Sequence, residues 1–179
     1  MQGMNQPHIR LLTALDADSY LALRLRGLHD HPDAFTSSFE EELQRSTAWA
    51  ARRLAQDAAR PHDFFLGAFT DETLCGAVGL QGRYRTKERH NATVVGMVVA
   101  PQMRGQGVGR ALMEALLQKA RALPQLVQLD LTVTEGNPAA QSLYAHCGFQ
   151  TFGVHQRAIC VAGVYHAKVH MALQLSPAA

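Results

Sequence analysis

The sequence predicts an α/β fold in which a mixed, mostly antiparallel seven-stranded sheet is flanked by helices. Three observations predict it. Leu126 to Thr134 alternates polar with apolar side chains, which is typical of a strand with one buried face. Phe64 to Thr70 and Leu74 to Tyr84 are apolar runs on either side of the short segment Asp71 to Thr73, which indicates an antiparallel hairpin. From Ala92 to Val133 a strand, a helix and a strand follow one another, and such a unit normally forms a right-handed parallel crossover.

The other elements are predicted from the periodicity of their apolar residues and from the glycines and prolines that bound them. In chain order they are a strand from His8 to Thr13, a helix after Asp16, a helix from Thr47 to Ala59, a strand from Ala92 to Ala100, a helix from Gly107 to Leu123, a helix from Ala139 to His146, and strands from Phe149 to Gln156 and from Val164 to Leu175. Asp16 and Ser46 are the candidate N-caps of the first two helices. The residues expected to face the core are Leu21, Leu25 and Leu28 in the first helix and Trp49, Leu54 and Ala58 in the second.

Length and composition favour one globular domain spanning residues 1–179. Hydrophobic residues make up 47% and charged residues 18% of the chain, which are ordinary values for a folded protein. The formal net charge is only +2, so the composition does not favour a nucleic-acid partner. No apolar stretch reaches the roughly 20 residues that span a bilayer, so no membrane partner is expected.

The cysteines and the N-terminus favour a cytoplasmic location. The chain has three cysteines, Cys75, Cys147 and Cys160, and an odd number without metal-ligand spacing does not indicate a disulfide framework. Met1 to Arg10 shows no apolar run after a basic start, so no signal peptide is expected. No metal is expected either, because His166 and His170 would lie about 13 Å apart along one strand.

The strongest chemical signal is the glycine-rich turn Arg104-Gly105-Gln106-Gly107-Val108-Gly109-Arg110. It follows a valine-rich strand and opens directly into a helix. The first N–H groups of a helix lack intrahelical partners, and the helix dipole places partial positive charge there. Glycines allow a phosphate to approach these N–H groups closely, and Arg104 and Arg110 add charged donors. The turn therefore predicts a pyrophosphate site rather than a purely structural connection.

Two common phosphate motifs do not fit this turn. A dinucleotide-binding Rossmann fingerprint needs G-x-G-x-x-G at the start of a repeated strand–helix pattern and an acidic residue about 20 positions later. Here the spacing differs and only one crossover follows. A P-loop needs Gly-Lys followed by Ser or Thr, whereas this chain has Arg110-Ala111.

The remaining pattern, R-x-x-G-x-G between a strand and a helix, resembles the pyrophosphate loop of the GNAT superfamily of N-acetyltransferases. A second segment, from Asn137 to Phe149, resembles that family's signature N-x-x-A-x-x-L-Y-x-x-x-G-F. The order of strands is similar over nearly the whole chain. The resemblance implies a parallel strand pair splayed around the cofactor, acetyl-CoA as the cosubstrate, and transfer of its acetyl group to a primary amine by direct attack.

The resemblance also implies roles for individual residues. The backbone of Met97, Val98 and Val99 is expected to bind the pantetheine arm, with one N–H stabilising the oxyanion. Asn137 is expected to contact the cofactor, and Tyr144 is expected to contact it and to act as the general acid that protonates the departing thiolate. The residues expected to hold the pyrophosphate are Arg104, Gly105, Gln106, Gly107, Val108, Gly109 and Arg110.

The general base is less clearly indicated. Relatives that acetylate ribosomal proteins carry a glutamate on the fifth strand, and the matching residue here is Thr132, which cannot act as a base at neutral pH. His90, at the start of the fourth strand, is one catalytic candidate. Glu41, within the acidic triplet Glu40-Glu41-Glu42, is a candidate for binding the acceptor.

The acceptor itself stays open between a small-molecule amine and a peptide. The basic stretch from Arg83 to His90 favours an acidic acceptor, whereas the acidic triplet favours a polyamine or a basic peptide. Many relatives pair through their C-terminal strands, so the resemblance implies a homodimer. Without an obvious base, a non-catalytic acyl-CoA-binding or sensing module with the same fold is the alternative function.

Overall fold

The computed structural model describes residues 7–175, so the first six residues of the Met1–Arg10 segment lie outside the described part. The strands are β1 (His8–Leu11), β2 (Phe64–Thr70), β3 (Thr73–Gly82), β4 (Asn91–Val99), β5 (Gln128–Thr134), β6 (Gln150–Val161) and β7 (Val164–Gln174). The helices are α1 (Ala17–Asp30), α2 (Phe39–Leu43), α3 (Thr47–Leu54), α4 (Val108–Arg121) and α5 (Pro138–His146).

The strands of the described part form one sheet in the order β1-β2-β3-β4-β5-β7-β6. Neighbouring strands are antiparallel except for the pair β4–β5, which is parallel and is connected through α4. The predicted mixed, mostly antiparallel seven-stranded sheet flanked by helices is therefore confirmed.

The parallel pair opens part-way along its length. Asn91–Thr93 pair with Gln128–Asp130, and no further residues of β4 and β5 pair. On its other side β4 carries a bulge, because Gly96 and Met97 stand opposite the single residue Val78 of β3. Gly96 has φ +62°, a left-handed conformation that glycine adopts without steric cost. The sheet therefore splays where β4 is bulged, as the resemblance implied.

Helices cover the two faces of the sheet around this opening. A side chain added at Gly27 of α1 would meet Val98, and one added at Gly109 of α4 would approach Val99. Because successive residues of a strand face opposite sides of a sheet, α1 and α4 lie on opposite faces. No helix of the described residues is long and apolar enough to cross a membrane.

The buried face of α1 differs from the predicted one. Leu28 is fully buried, but Leu21 and Leu25 are only half-buried, and the helix buries Tyr20, Leu23, Arg24 and Gly27 instead. Hydrophobic periodicity missed this face because a charged residue lies at its centre. Asp16 stands at the N-cap position without capping α1; its carboxylate accepts a hydrogen bond from the Thr13 amide at 2.8 Å.

The second predicted helix, α3, ends at Leu54 rather than Ala59. Ser46 caps it as predicted, since its Oγ accepts from the Trp49 amide at 3.2 Å. Beyond Leu54 the Asp57 carboxylate accepts from the Ala59 amide, a local bond that competes with helix formation. Ala58 is consequently exposed, so its prediction as a core residue was wrong. The short helix α2, capped by Ser38, was not predicted.

The strand β6 runs to Val161, five residues beyond its predicted end at Gln156. The prediction stopped where the pairing with β7 is irregular: the register shifts between His155 and Ile159, and Arg157 has φ +53°. The strand resumes after this irregularity and reaches a tight turn at Ala162 and Gly163.

Candidate active site

A cleft of about 560 Å³ lies in the opening between β4 and β5. Its walls come from the end of β4, the turn that leads into α4, the end of β5, the start of α5 and the loop after α1. The two segments singled out by their sequence motifs, Arg104–Gly109 and Asn137–Tyr144, therefore reach the same cleft although they are far apart along the chain.

The glycine-rich turn has the backbone geometry of an anion site. Gly105 and Gly107 have φ of +73° and +79°, and no heavy atom lies within 4 Å of a Cβ built on either residue. Gly107 is the N-cap of α4 and supplies no side-chain cap, and the first turn of this helix holds no acidic residue. The N–H groups of that turn and the helix dipole are thus available to a phosphate.

The polar side chains of the turn do not all face the cleft. Arg104 lines it, and its guanidinium donates to the Val99 carbonyl at 3.2 Å and to the His31 imidazole at 2.5 Å. Arg110 is 74% exposed and pairs with Glu114 at 2.7 Å on the outer surface of α4. Gln106 is exposed and its amide donates to the Gln102 carbonyl at 2.8 Å.

Replacing Gly107 with valine is expected to weaken acetyl-CoA binding at least tenfold. A β-branched residue is strained at φ +79°, and its side chain would occupy the open space in front of the helix N-terminus. Isothermal titration calorimetry with acetyl-CoA measures the effect, with Gly153→Ala, at a glycine outside the cleft that has equally open surroundings, as the matched control. An unchanged Kd would show that this turn does not hold the cofactor.

The bulged end of β4 forms the floor of the cleft. Met97, Val98 and Val99 line it. No β5 residue pairs with them, so the edge of β4 that faces β5 is left open to an extended ligand. An extended ligand arm lying there would bond to β4 as a neighbouring strand does.

Tyr144 of α5 and Asn137, the N-cap of that helix, lie on the opposite wall of the cleft. The Asn137 side chain accepts from the Ala140 amide at 3.1 Å and so caps the helix, while the residue also lines the cleft. Tyr144 is only 7% exposed and packs edge-on against Phe149 with ring centroids 6.2 Å apart. Burial, with a smaller contribution from Cys147, raises the pKa of Tyr144 to about 12. Its phenol therefore stays protonated across the physiological pH range.

Cys147 is half-buried at the end of α5 and packs against the core. Burial, and to a smaller extent Glu114, raises the pKa of its thiol above the ordinary value. A thiol in this state is a weak nucleophile, which agrees with a packing role.

The structure does not bring His90 or Glu41 to the cleft. His90 precedes β4 at the end where β4 and β5 are still paired, and its carbonyl accepts from the Val127 and Gln128 amides. Met97 to Val99 lie at the opposite end of the same strand. Glu41 caps α2: its carboxylate accepts from the Ser38 amide at 2.9 Å, and the Ser38 hydroxyl accepts from the Glu41 amide.

The basic stretch from Arg83 to His90 is also remote from the cleft. Arg83 pairs with Asp130 at the closed end of the β4–β5 pair, and Asp130 further accepts from the Thr93 hydroxyl at 2.7 Å. Arg83 therefore contacts the paired end of β4 and β5 and does not line the cleft.

Sequence reasoning missed one wall of the cleft, formed by the loop after α1. His31, Asp33 and Phe35 line the cleft from this loop. Lys168 donates to the Thr134 hydroxyl at 2.8 Å, and that hydroxyl donates to the Asp33 carbonyl, so the end of β5 holds the loop in place. Burial lowers the pKa of Lys168. These contacts join residues 34 and 101 positions apart and leave no local signal in the sequence.

No three His, Cys, Asp or Glu side chains are grouped as metal ligands within residues 7–175. His166 and His170, considered above as a pair, stand opposite different residues of β6, Ile159 and Gly153.

Comparison with known proteins agrees with this geometry. The model of the acetyltransferase (GNAT) family matches residues 28–149, which include both motifs. The chain belongs to the acetyltransferase (GNAT) family. It is therefore an acetyl-CoA-dependent acyltransferase, as the two motifs implied.

The curated relatives are named for different acetyltransferase activities. The chain is 34% identical to N-alpha-acetyltransferase RimI of Mycobacterium tuberculosis over 64% of this chain and 70% of that protein. It is 33% identical to phosphinothricin N-acetyltransferase of Alcaligenes faecalis over 69% and 62% of the two chains. For mycothiol acetyltransferase of Salinispora arenicola the identity is 32%, over 78% of this chain and less than half, 43%, of that protein.

Solved structures share the fold across the whole chain. A GNAT-family acetyltransferase from Streptococcus pneumoniae superposes with a TM-score of 0.85 at 23% identity, covering 96% of this chain and 100% of that one. The acetyltransferase yncA of Salmonella typhimurium, whose structure contains acetyl-CoA, superposes with a TM-score of 0.78 at 18% identity, covering 98% and 97%.

Proposed function

We propose that this GNAT acyltransferase is an N-acetyltransferase that moves the acetyl group of acetyl-CoA to a primary amine. The observation that carries the proposal is one cleft containing three features together: the glycine-rich helix start at Gly105–Gly109, the unpaired bulged edge of β4, and the Tyr144 phenol. The first suits a pyrophosphate, the second suits an extended pantetheine arm, and the third is a proton donor.

The proposed reaction is direct. The amine nitrogen attacks the thioester carbonyl carbon, the carbon–sulfur bond breaks, and Tyr144 supplies the proton that the sulfur takes up. A backbone N–H of β4, from Met97 or Val98, stabilises the negative charge that develops on the carbonyl oxygen. The half-buried thiol of Cys147, with its raised pKa, supports a route without a covalent enzyme intermediate.

A two-part experiment tests this proposal. We expect purified protein to bind acetyl-CoA in a calorimetric titration and to release free thiol when a primary amine is added. Because the relatives are named for different acceptors, the panel should contain a peptide with a free α-amine, phosphinothricin, polyamines and amino acids. N-acetylated product is to be identified by mass spectrometry, with Gly107→Val as the binding-deficient control.

The alternative, a non-catalytic acyl-CoA-binding or sensing module, predicts a different result. Tight binding of acetyl-CoA without turnover of any amine would favour the module, whereas amine-dependent thiol release would exclude it. The homodimer and the cytoplasmic location stay predictions.

A further inference from the structure

The acceptor half of the site has no base at the positions indicated by the sequence. Thr132, which the family resemblance matches to a glutamate of ribosomal-protein acetyltransferases, lines the cleft with an exposed side chain. His90 and Glu41 lie elsewhere. A titratable residue that neighbours Thr132 in space is therefore a candidate for the proton acceptor of the incoming amine.

His170 is that neighbour. In the antiparallel pairing of β5 with β7, His170 stands directly opposite Thr132. Residues directly opposite one another lie on the same face of a sheet, with Cβ atoms about 4.5–5.5 Å apart. The imidazole is half-buried and begins one strand spacing from the cleft. Thr132 and Thr134 lie on the same face of β5, and the Thr134 hydroxyl donates to the Asp33 carbonyl, so His170 lies on the face that the loop after α1 covers.

The surroundings of His170 leave room for a substrate. Its partner on the other side, in β6, is Gly153, and no heavy atom lies within 4 Å of a Cβ built on that glycine. The ring of Phe152, which is 66% exposed, packs edge-on against the imidazole at 5.8 Å between centroids. The exposed ring of His155 lies 6.5 Å away. Phe152, Gly153 and His155 thus border an open recess beside the imidazole, which we call the β6 recess.

The charged groups near His170 are already paired. Asp130, on the same face of β5, is held by Arg83 and Thr93. Lys168, two residues along β7, donates to Thr134 and to the Ala34 carbonyl. Among these neighbours and the residues of the β6 recess, the His170 and His155 imidazoles are the remaining side chains with a nitrogen that can accept a proton, and His170 is the one beside Thr132.

We propose that His170 is the general base of the reaction and that the acceptor amine docks in the β6 recess. The proposal rests on the proposed N-acetyltransferase function. His170 takes one proton from the ammonium form of the acceptor, and the freed nitrogen attacks the thioester carbonyl. The C–N bond forms, the C–S bond breaks and the sulfur takes the Tyr144 proton. The second proton leaving the nitrogen restores the Tyr144 phenol, and the imidazolium releases its proton to solvent.

Replacing His170 with glutamine tests the base. With an acceptor found in the amine panel, we expect H170Q to lower kcat/KM for the amine by about 100-fold, within the usual range for general-base catalysis, while the Kd for acetyl-CoA stays unchanged. The pH profile carries the diagnostic signature. The wild-type rate should level off at a lower pH than the variant rate, which should keep rising toward the pKa of the free amine.

His166→Gln is the matched control, because His166 is a half-buried histidine on the same strand with a different partner. It should retain wild-type kinetics. A thermal melt of both variants separates loss of the base from loss of folding.

The β6 recess is tested separately at Gly153. Gly153→Leu should raise KM for the amine by tenfold or more and leave acetyl-CoA binding intact. The φ of Gly153 is not in the left-handed region, so the substitution does not strain the backbone.

The outcomes separate the two proposals. Wild-type protein that acetylates no amine would overturn the N-acetyltransferase function and the base with it. Active wild-type protein together with an H170Q variant of unchanged kcat/KM and unchanged pH profile would overturn the role of His170 alone. An unchanged KM in Gly153→Leu would show that the acceptor does not bind in the β6 recess.

Discussion

Replacing Tyr144 with phenylalanine is expected to lower kcat by about 100-fold and to leave the affinity for acetyl-CoA almost unchanged. The substitution removes one oxygen from a ring that packs against Phe149, so the cleft keeps its shape. What is lost is the proton donor for the departing thiolate. Steady-state kinetics measure the first effect and calorimetric titration of acetyl-CoA measures the second.

The pH dependence of this step follows from the burial of Tyr144. A general acid acts only while protonated, so its contribution falls as pH rises through its pKa, which burial raises to about 12. The wild-type rate should therefore show no decline caused by Tyr144 between pH 7 and pH 10. Tyr165→Phe, at a tyrosine that is 62% exposed on β7, is the control. Equal kcat in Tyr144→Phe and Tyr165→Phe would remove Tyr144 from the mechanism.

Replacing Glu42 with alanine is expected to lower the free energy of unfolding by about 3–5 kcal/mol. Glu42 and Arg24 are 5% and 7% exposed, and the guanidinium donates to the carboxylate at 3.1 and 2.8 Å. Without Glu42 the charge of Arg24 is left buried and uncompensated. Chemical denaturation followed by circular dichroism measures the change.

Two controls define the origin of that loss. Glu40→Ala, at an exposed position on the same helix, should change the free energy of unfolding by no more than about 0.5 kcal/mol. The double variant Arg24→Met with Glu42→Leu should recover much of the loss, because it removes both charges together. A loss that is equal in the single and double variants would show that packing, not the charge, is responsible.

The same pair makes stability depend on pH in the acid range. Burial acts to raise the pKa of Glu42, but the hydrogen bonds and charge of Arg24, with smaller contributions from Ser37 and Arg53, together outweigh it and hold the pKa below the ordinary value of 4.5. A carboxyl group with a lowered pKa contributes stability above its unfolded value and loses it as pH falls through its folded value. Stability should therefore decline below pH 4.5, and the decline should be smaller in the double variant.

The cofactor half of the site could be predicted from the sequence because its determinants are local. The backbone at Gly105 and Gly107 is left-handed, a conformation that favours glycine. Asn137 caps a helix that begins at the next residue. Such features depend on a few consecutive residues, so a motif records them. The splayed β4–β5 pair was predicted from the family resemblance that these same motifs carry.

The proposed acceptor half could not be predicted because it depends on contacts distant in sequence. Thr132 and His170 are neighbours only through the register of β5 with β7, and His31 meets Arg104 across 73 positions. The face of α1 was misjudged for a similar reason. Arg24 belongs to the interior only because Glu42, 18 residues later, pairs with it.

The limited pairing between β4 and β5 has a mechanical consequence. Three residue pairs join β4 to β5, together with side-chain contacts of Asp130 to Arg83 and Thr93 and of Gln128 to Asn91. The cleft thus lies between two parts of the sheet whose facing strands are paired at one end and unpaired at the other. A ligand arm that hydrogen-bonds along the unpaired end of β4 acts as an added strand, so the free energy of binding also stabilises the folded chain. Ligand binding and the stability of the sheet are therefore coupled in such a protein.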